Sequence, residues 1–390
     1  MKINQVVENQ LSALVEQRRY LHQHPELSFQ ETETYQYILK HLQKLSHFHI
    51  RENVGGNGIV AEIKGNGDRT IAFRADFDAL PIQDLKEVPY KSTVPGVMHA
   101  CGHDGHTSIL LSLASILNEH TDKINGNVVL IFQFAEELAP GGAEPMVTDG
   151  ALAGVDAIYG QHLWSQFKTH EVHCRPGALM ASPDLFEITL IGKGGHGAKP
   201  HTTIDAIVAM AELIRQLQTI VSRQIDPVDP AVVTVGKVKA GQAFNIISQE
   251  AYCTGTVRTF RDEVKQQIKK AMTDILEGLK ISMGITYHFN YMDGYPSVTN
   301  HDREYEVIRQ TAERLNLPFI EAEPMMVGED YAYYLQYKPG AFFLTGAGSP
   351  DYPPHHHALF DIDEASLASG LKMFLSILTE EGLLNDDQQR

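Results

Sequence analysis

The stretch Asn127-Val128-Val129-Leu130-Ile131-Phe132-Gln133-Phe134-Ala135-Glu136-Glu137 decides how this sequence folds. It is a near-continuous apolar run that stops at a pair of acids. A strand with one wet face alternates apolar and polar residues, whereas an unbroken run suits a strand covered on both faces. Two other segments read the same way. Thr70-Ile71-Ala72-Phe73-Arg74-Ala75-Asp76 ends in an acid, and Val155-Asp156-Ala157-Ile158-Tyr159-Gly160 stops just before His162. Between them, residues 107–120 carry Ile109, Leu110, Leu113, Ile116 and Leu117 at helical spacing, which predicts a covering helix. Val7, Leu11, Leu14 and Leu21 predict an opening helix, which breaks at Pro25. Strands alternating with helices predict an α/β domain with a central mixed, mostly parallel sheet. In such sheets, sites gather at the carboxyl ends of the strands.

The pattern changes near residue 183. Residues 185–191 alternate, a helix is expected over 204–221, and strands over 232–238 and 251–258. A second helix is expected over 263–279 and a last strand near 285–291. That order, β-α-β-β-α-β, is the split arrangement of ferredoxin-like modules. It divides the chain into a first domain of residues 1–182 and 292–390 and an inserted α+β module of residues 183–291.

A length of 390 residues suits two domains. Hydrophobic residues at 43% and charged residues at 21% are ordinary for a globular chain. A net charge of −17 argues against nucleic acid or an anionic membrane as partner. No run approaches the 18 or so apolar residues of a membrane span, and Met1 to Glu8 lacks the apolar core of a signal peptide. Three cysteines, Cys101, Cys174 and Cys253, are too few and scattered for a disulfide scaffold, so a cytoplasmic location is expected.

The chemistry-bearing residues fall in four segments. His99-Ala100-Cys101-Gly102-His103-Asp104-Gly105-His106 packs three imidazoles and a thiol into eight residues, with glycines that permit unusual backbone angles. Beside a metal the thiol would be held as thiolate. Glu136-Glu137 ends a buried strand; metal-assisted hydrolysis needs one carboxylate on the ion and another to take a proton from water. His162 follows a strand, and His355-His356-His357 precedes Phe360 and Asp361. One Cys, one Glu and three His over four segments make a plausible set for two borderline ions. No Gly-x-Ser-x-Gly elbow and no credible Rossmann or Walker loop occurs. Gly192-Lys193-Gly194-Gly195 lacks the Gly-Lys-Ser/Thr of a phosphate loop.

Taken together, these segments resemble the aminoacylase/carboxypeptidase family of di-metal hydrolases. The match is nearest to the branch of bacterial N-acyl-amino-acid amidohydrolases, hippurate hydrolases and plant auxin-conjugate amidohydrolases. It is carried by residues 18–26, 73–81, 96–107, 133–137, 160–164, 192–201, 328–331 and 356–364, in the family's order. The resemblance implies two divalent ions, manganese or zinc with cobalt or nickel as alternatives. Cys101, His103, Glu137, His162 and His356 would hold them, with the thiolate shared. It implies Glu136 as general base and then acid, with Asp76 and Asp78 at most orienting the ligands. It implies His196 as the group polarising the substrate carbonyl from the inserted module, in its own subunit or across a dimer. Asn245 and Arg258 would contact substrate, the alternative for Arg258 being a structural ion pair. The inserted module would serve as lid and dimerisation domain of a homodimer. Two positions depart from the pattern: Ala358 and Ser248 stand where proline is usual.

The expected activity is hydrolysis of the amide bond of an N-acyl L-amino acid. N-acetyl-diaminopimelate deacylation and dipeptidase or carboxypeptidase action use the same chemistry. A metal-binding protein without activity, or a thiol enzyme centred on Cys101, are the readings from other classes. Glu136 beside Glu137 argues against the first, because holding a metal needs no second carboxylate.

Overall fold

The protein is described by a computed structural model covering residues 1–385. It divides into two compact units. The first comprises Met1–Leu179, Val298–Glu323 and the chain from Asp330; the second comprises Met180–Ser297 and Pro324–Glu329. The second unit therefore takes in a short later segment beyond the span marked by strand and helix periodicity.

The first unit is built on an eight-stranded sheet. Its order is Phe48–Val54, Gly58–Ile63, Asn127–Gln133, Thr70–Asp76, Ala157–Lys168, Gly340–Gly348, Val172–Cys174 and Phe319–Glu321. The middle four strands run parallel and are flanked by antiparallel pairs, with a parallel pair of Val172–Cys174 and Phe319–Glu321 at one edge. All seven residues of Thr70–Asp76 are buried, as are six of the seven in Asn127–Gln133. These are the unalternating runs, and they are central because both faces are covered. Helices Ile3–Gln23, His103–Glu119 and Ala365–Glu380 pack on one another, and the latter two pack on the sheet. His103–Glu119 is buried around most of its circumference, which explains an apolar content beyond one stripe. The α/β expectation therefore holds. The strand expected to stop at Gly160 runs on to Lys168, pairing with Gly340–Gly348 from the far end of the sequence.

The second unit is a four-stranded antiparallel sheet in the order Ala231–Ala240, Glu250–Thr259, Ser182–Ile191, Thr286–Met292. Helices Ala206–Arg223 and Asp262–Met283 supply Ala209, Leu213, Leu217, Ile268, Met272 and Leu276 to its core. Buried Asp184 accepts from Tyr291 Oη at 2.7 Å and the Gly294 amide at 2.8 Å, and pairs with Lys265 at 3.0 Å. Among the described residues no helix is long and apolar enough to cross a membrane.

Candidate metal centre

The parallel strands of the first unit end together, and their exits carry the acids. Thr70–Asp76 delivers Asp76 and then Asp78, Asn127–Gln133 leads to Glu136 and Glu137, and His162 lies within Ala157–Lys168. Two irregular segments complete the set. Gly102 takes φ +90°, a left-handed angle that suits glycine, and so lets Cys101 close a loop while His103 opens the next helix. His356 takes φ +60°, unusual for a residue with a Cβ, and its amide donates to the Ala100 carbonyl at 2.8 Å. That bond ties the His356 segment to the Cys101 loop across more than 250 residues.

The donor atoms converge. Cys101, His103 and His162 offer ligand atoms within 4.8 Å of one another; so do Cys101, Glu137 and His356, and so do His103, Glu136 and Glu137. All five expected ligands and Glu136 fall in these groups, and Cys101 belongs to both triads that contain a thiol. The thiol is 3.4 Å from His162 Nε2, and His356 Nε2 is 3.1 Å from Glu137 Oε1.

Hydrogen bonding on the far side of each ring aims the near side. His103 Nδ1 lies 3.0 Å from the Asp78 carbonyl and 3.1 Å from Asp78 Oδ1, both acceptors, so Nδ1 donates, and in the neutral ring that a metal would bind Nε2 bears the lone pair. His162 Nδ1 likewise donates to the Leu163 carbonyl at 3.0 Å. His103 Nε2 is buried without a hydrogen-bond partner, while oxygens of Asp76, Glu136 and Glu137 stand 3.8–4.0 Å away. A bare imidazole nitrogen ringed by carboxylates just beyond hydrogen-bond reach is a cradle for cations. Thiolate, imidazole and carboxylate donors suit borderline divalent ions.

The electrostatics agree. Burial, then Glu137, Glu136 and Asp76, push the Cys101 thiol well above its usual range. Burial alone would lower His103, but Asp76 and Asp78 outweigh it and push its pKa up to about 10. So concentrated a negative field favours cations, and a bound divalent ion inverts the preference of the thiol.

Other polar residues nearby are already spent. His106 Nδ1 donates to Asp76 Oδ1 at 2.6 Å, and its Nε2 accepts the Leu163 amide at 2.9 Å. Arg74 donates to Asp76 at 2.6 Å and to Asp330 at 2.8 Å. His106 and Asp76 therefore hold the frame, although with His103 they form another cluster of potential ligands. His355 is 3.0 Å from the Leu163 carbonyl through Nε2, and His357 Nδ1 accepts the Leu359 amide. That leaves His356 as the member of the triplet facing Glu137.

Sequence reading missed a supporting network. Arg18 donates to Asp104 at 2.8 Å, to Asp361 at 2.8 Å and to Glu364 at 3.3 Å. His22 Nδ1 lies 2.7 Å from Asp104, and Lys86 Nζ bridges His22 Nε2 at 2.9 Å and the Phe360 carbonyl at 2.7 Å. These buried side chains fasten the helix begun by His103 to the segment that carries His356. The available signal was a cluster of charge, Arg18 and His22, on an otherwise apolar helical face.

The remaining expected site residues lie in the second unit. His196 is exposed, its Nδ1 accepting the Ala198 amide at 3.0 Å, and Ile246, next to Asn245, pairs with His196 in a short ladder. Arg258 is half-buried and donates to the Val257 carbonyl at 3.1 Å and to Thr256 Oγ1. Among the described residues it makes no ion pair.

Comparison with known proteins fits this geometry. Over 301 residues the chain is 43% identical to an N-acyl-L-amino acid amidohydrolase of Geobacillus stearothermophilus, covering 77% of this chain and 81% of the relative. It is 40% identical to an N-acetyl-L-cysteine deacetylase of Bacillus subtilis, covering 90% and 83%. The crystal structure of the Bacillus subtilis YXEP protein, described as a dinuclear metal binding peptidase from the M20 family, superposes with a TM-score of 0.84. Identity there is 36%, covering 96% of this chain and 99% of that one. Residues 72–380 match peptidase family M20/M25/M40, and the chain belongs to that family.

Proposed function

We propose that this metal-dependent amidohydrolase cleaves the amide bond of N-acyl L-amino acids, releasing a carboxylic acid and the free amino acid. The observation that carries the reading is the pair Glu136 and Glu137. Both belong to one donor cluster with His103, yet only Glu137 also joins Cys101 and His356. That division leaves one carboxylate for the ion and one for the proton. The likeness to an N-acyl-L-amino acid amidohydrolase and to an N-acetyl-L-cysteine deacetylase supports the substrate class.

Cys101, His103, Glu137, His162 and His356 would hold two divalent ions, manganese or zinc. When bound, such ions polarise a carbonyl and lower the pKa of water toward neutrality. Glu136, 7% exposed, takes the proton from the attacking water and returns it to the leaving amine. Asp78 keeps His103 in the tautomer that presents Nε2. His196 is assigned to the substrate carbonyl, and Asn245 and Arg258 to the remainder of the substrate, on the resemblance. His196→Ala should then lower kcat/KM without altering metal content.

Glu136→Gln tests the central role. The variant should bind two metal equivalents by elemental analysis and lose turnover by about 10²–10⁴-fold. Turnover within tenfold of wild type would remove Glu136 from the role. A panel of N-acetyl and N-benzoyl amino acids, N-acetyl-diaminopimelate and dipeptides, assayed with reconstituted enzyme, identifies the substrate. Cleavage confined to dipeptides would refute the acyl-amino-acid reading. We also propose a homodimer through the second unit, whose edge strand Ala231–Ala240 is mostly exposed along its second half. Sedimentation showing only monomer would refute it.

A further inference from the structure

The turn that presents Glu136 is strained. Ala135 takes φ +50°, a left-handed angle disfavoured for any residue with a Cβ, in a fully buried position. Such an angle persists only where the surroundings hold it. The amides on either side of Glu136 are both held by buried carboxylates. The Glu137 amide donates to Asp78 Oδ2 at 3.0 Å, and the Ala135 amide donates to Glu31 Oε1 at 2.8 Å.

Asp78 has a second task in orienting His103, but Glu31 has none of that kind. It stands immediately before helix Thr32–Leu42 but does not cap it, since the Glu33 and Thr34 amides donate to Glu26 at 3.2 and 2.7 Å. Instead the carboxylate, 0% exposed, reaches across to residue 135, with Asn57 Nδ2 at 3.4 Å from its other oxygen. Burial, with Asp78 nearby, pushes the Glu31 carboxyl up to about 7. Burying a carboxyl is costly, and helix capping does not account for it here.

We propose that Glu31 is a positioning residue for Glu136: by accepting the Ala135 amide it holds the left-handed turn that aims the proton-carrying carboxylate. The inference rests on the reading of Glu136 as general base. It predicts that loss of Glu31 lowers kcat while leaving KM and metal content in place, because Cys101, His103, His162 and His356 reach the centre by other segments and the Glu137 amide stays held by Asp78.

The experiment is steady-state kinetics with metal analysis on Glu31→Ala, Glu31→Gln, Ala135→Gly, the Glu31→Ala/Ala135→Gly double variant and Glu136→Gln. Glu31→Ala should lower kcat by roughly tenfold or more, since displacements near 1 Å at a reacting group carry losses up to 10²-fold. KM should stay within about twofold, and two metal equivalents should remain. Glu31→Gln keeps an oxygen for the amide and should recover to within about threefold of wild type. Glycine takes φ +50° without strain, so removing Glu31 in the Ala135→Gly background should cost less than in wild type. If Glu31→Ala does not fold, Glu31→Asp, one methylene shorter, gives the same test. Wild-type kcat in Glu31→Ala, equal impairment of Glu31→Gln, or metal loss in step with kcat would overturn the proposal. An active Glu136→Gln would instead overturn the base reading, whereas an inactive Glu136→Gln beside an active Glu31→Ala would defeat the positioning alone.

Discussion

Arg18→Met is the most searching perturbation of the frame around the metal centre. Arg18 and Asp104 are both completely buried, and the guanidinium also meets Asp361 and Glu364, whose side chains are 18% exposed. Methionine fills much of the same volume but supplies no donor. Breaking a buried ion pair from one side leaves an uncompensated charge and costs about 3–5 kcal/mol. Asp104 would keep His22 at 2.7 Å, Asp361 would keep Tyr90 at 2.8 Å, and Glu364 would keep Arg19 at 2.9 Å. These surviving contacts place the loss at the low end, about 3 kcal/mol. With a urea dependence near 3 kcal/mol/M, the midpoint falls by about 1 M. The single tryptophan, Trp164, lies in the first unit, so its fluorescence reports that unit's unfolding. Adding Asp104→Asn removes the stranded charge and should restore at least half of the loss. Losses that simply add, or a midpoint shift below about 0.2 M, would show that the pair does not carry this energy.

Other outcomes follow from the same contacts. Chelation should lower the melting temperature and abolish turnover, and adding manganese or zinc at about 100 times Kd should return about 2.7 kcal/mol; an unchanged melting temperature would refute the cation cradle. His356→Ala should cut metal content from two equivalents toward one, because Cys101, His103 and His162 remain; retention of both would remove His356 from the ligand set. Burial would raise the Asp84 and Asp361 carboxyls, but His22 and the amides of Ser92 and Lys86 outweigh it at Asp84, and Arg18 and Lys86 at Asp361, so both lie below the usual range. A depressed folded-state pKa gives stability that is present above the unfolded value near 4 and lost as pH falls below it. The Trp164-detected midpoint should therefore drop on acidification from about pH 5 to 3, and a rise would contradict the assignment. Gly160→Ala would place a Cβ 2.6 Å from the Tyr331 ring and 2.8 Å from Phe342, costing about 1–3 kcal/mol in the same unfolding assay.

The sequence by itself determined the strands and the donor types. Unalternating runs at 70–76 and 127–134 read as buried strands, because they are short, a wet face would have demanded polar alternation, and the second is rich in Val and Ile. Cys101, Glu137 and His162 stood out as donors because they lay in a glycine-bearing loop or near the ends of such runs, and the family resemblance picked His356 as their partner. What periodicity could not show is which atoms share a cavity. Three adjacent histidines, His355, His356 and His357, are chemically equal on paper. Only the left-handed turn at His356, held by the Ala100 carbonyl, turns one of them toward Glu137. The resemblance anticipated Asp78 as an orienting group, whereas Glu31, Arg18 and Lys86 were hard to read, since a buried charge is defined by partners tens to hundreds of residues away. Local pattern records whether a side chain meets water or protein, whereas pairing and aim are properties of the packed chain, where each buried polar atom must find its partner.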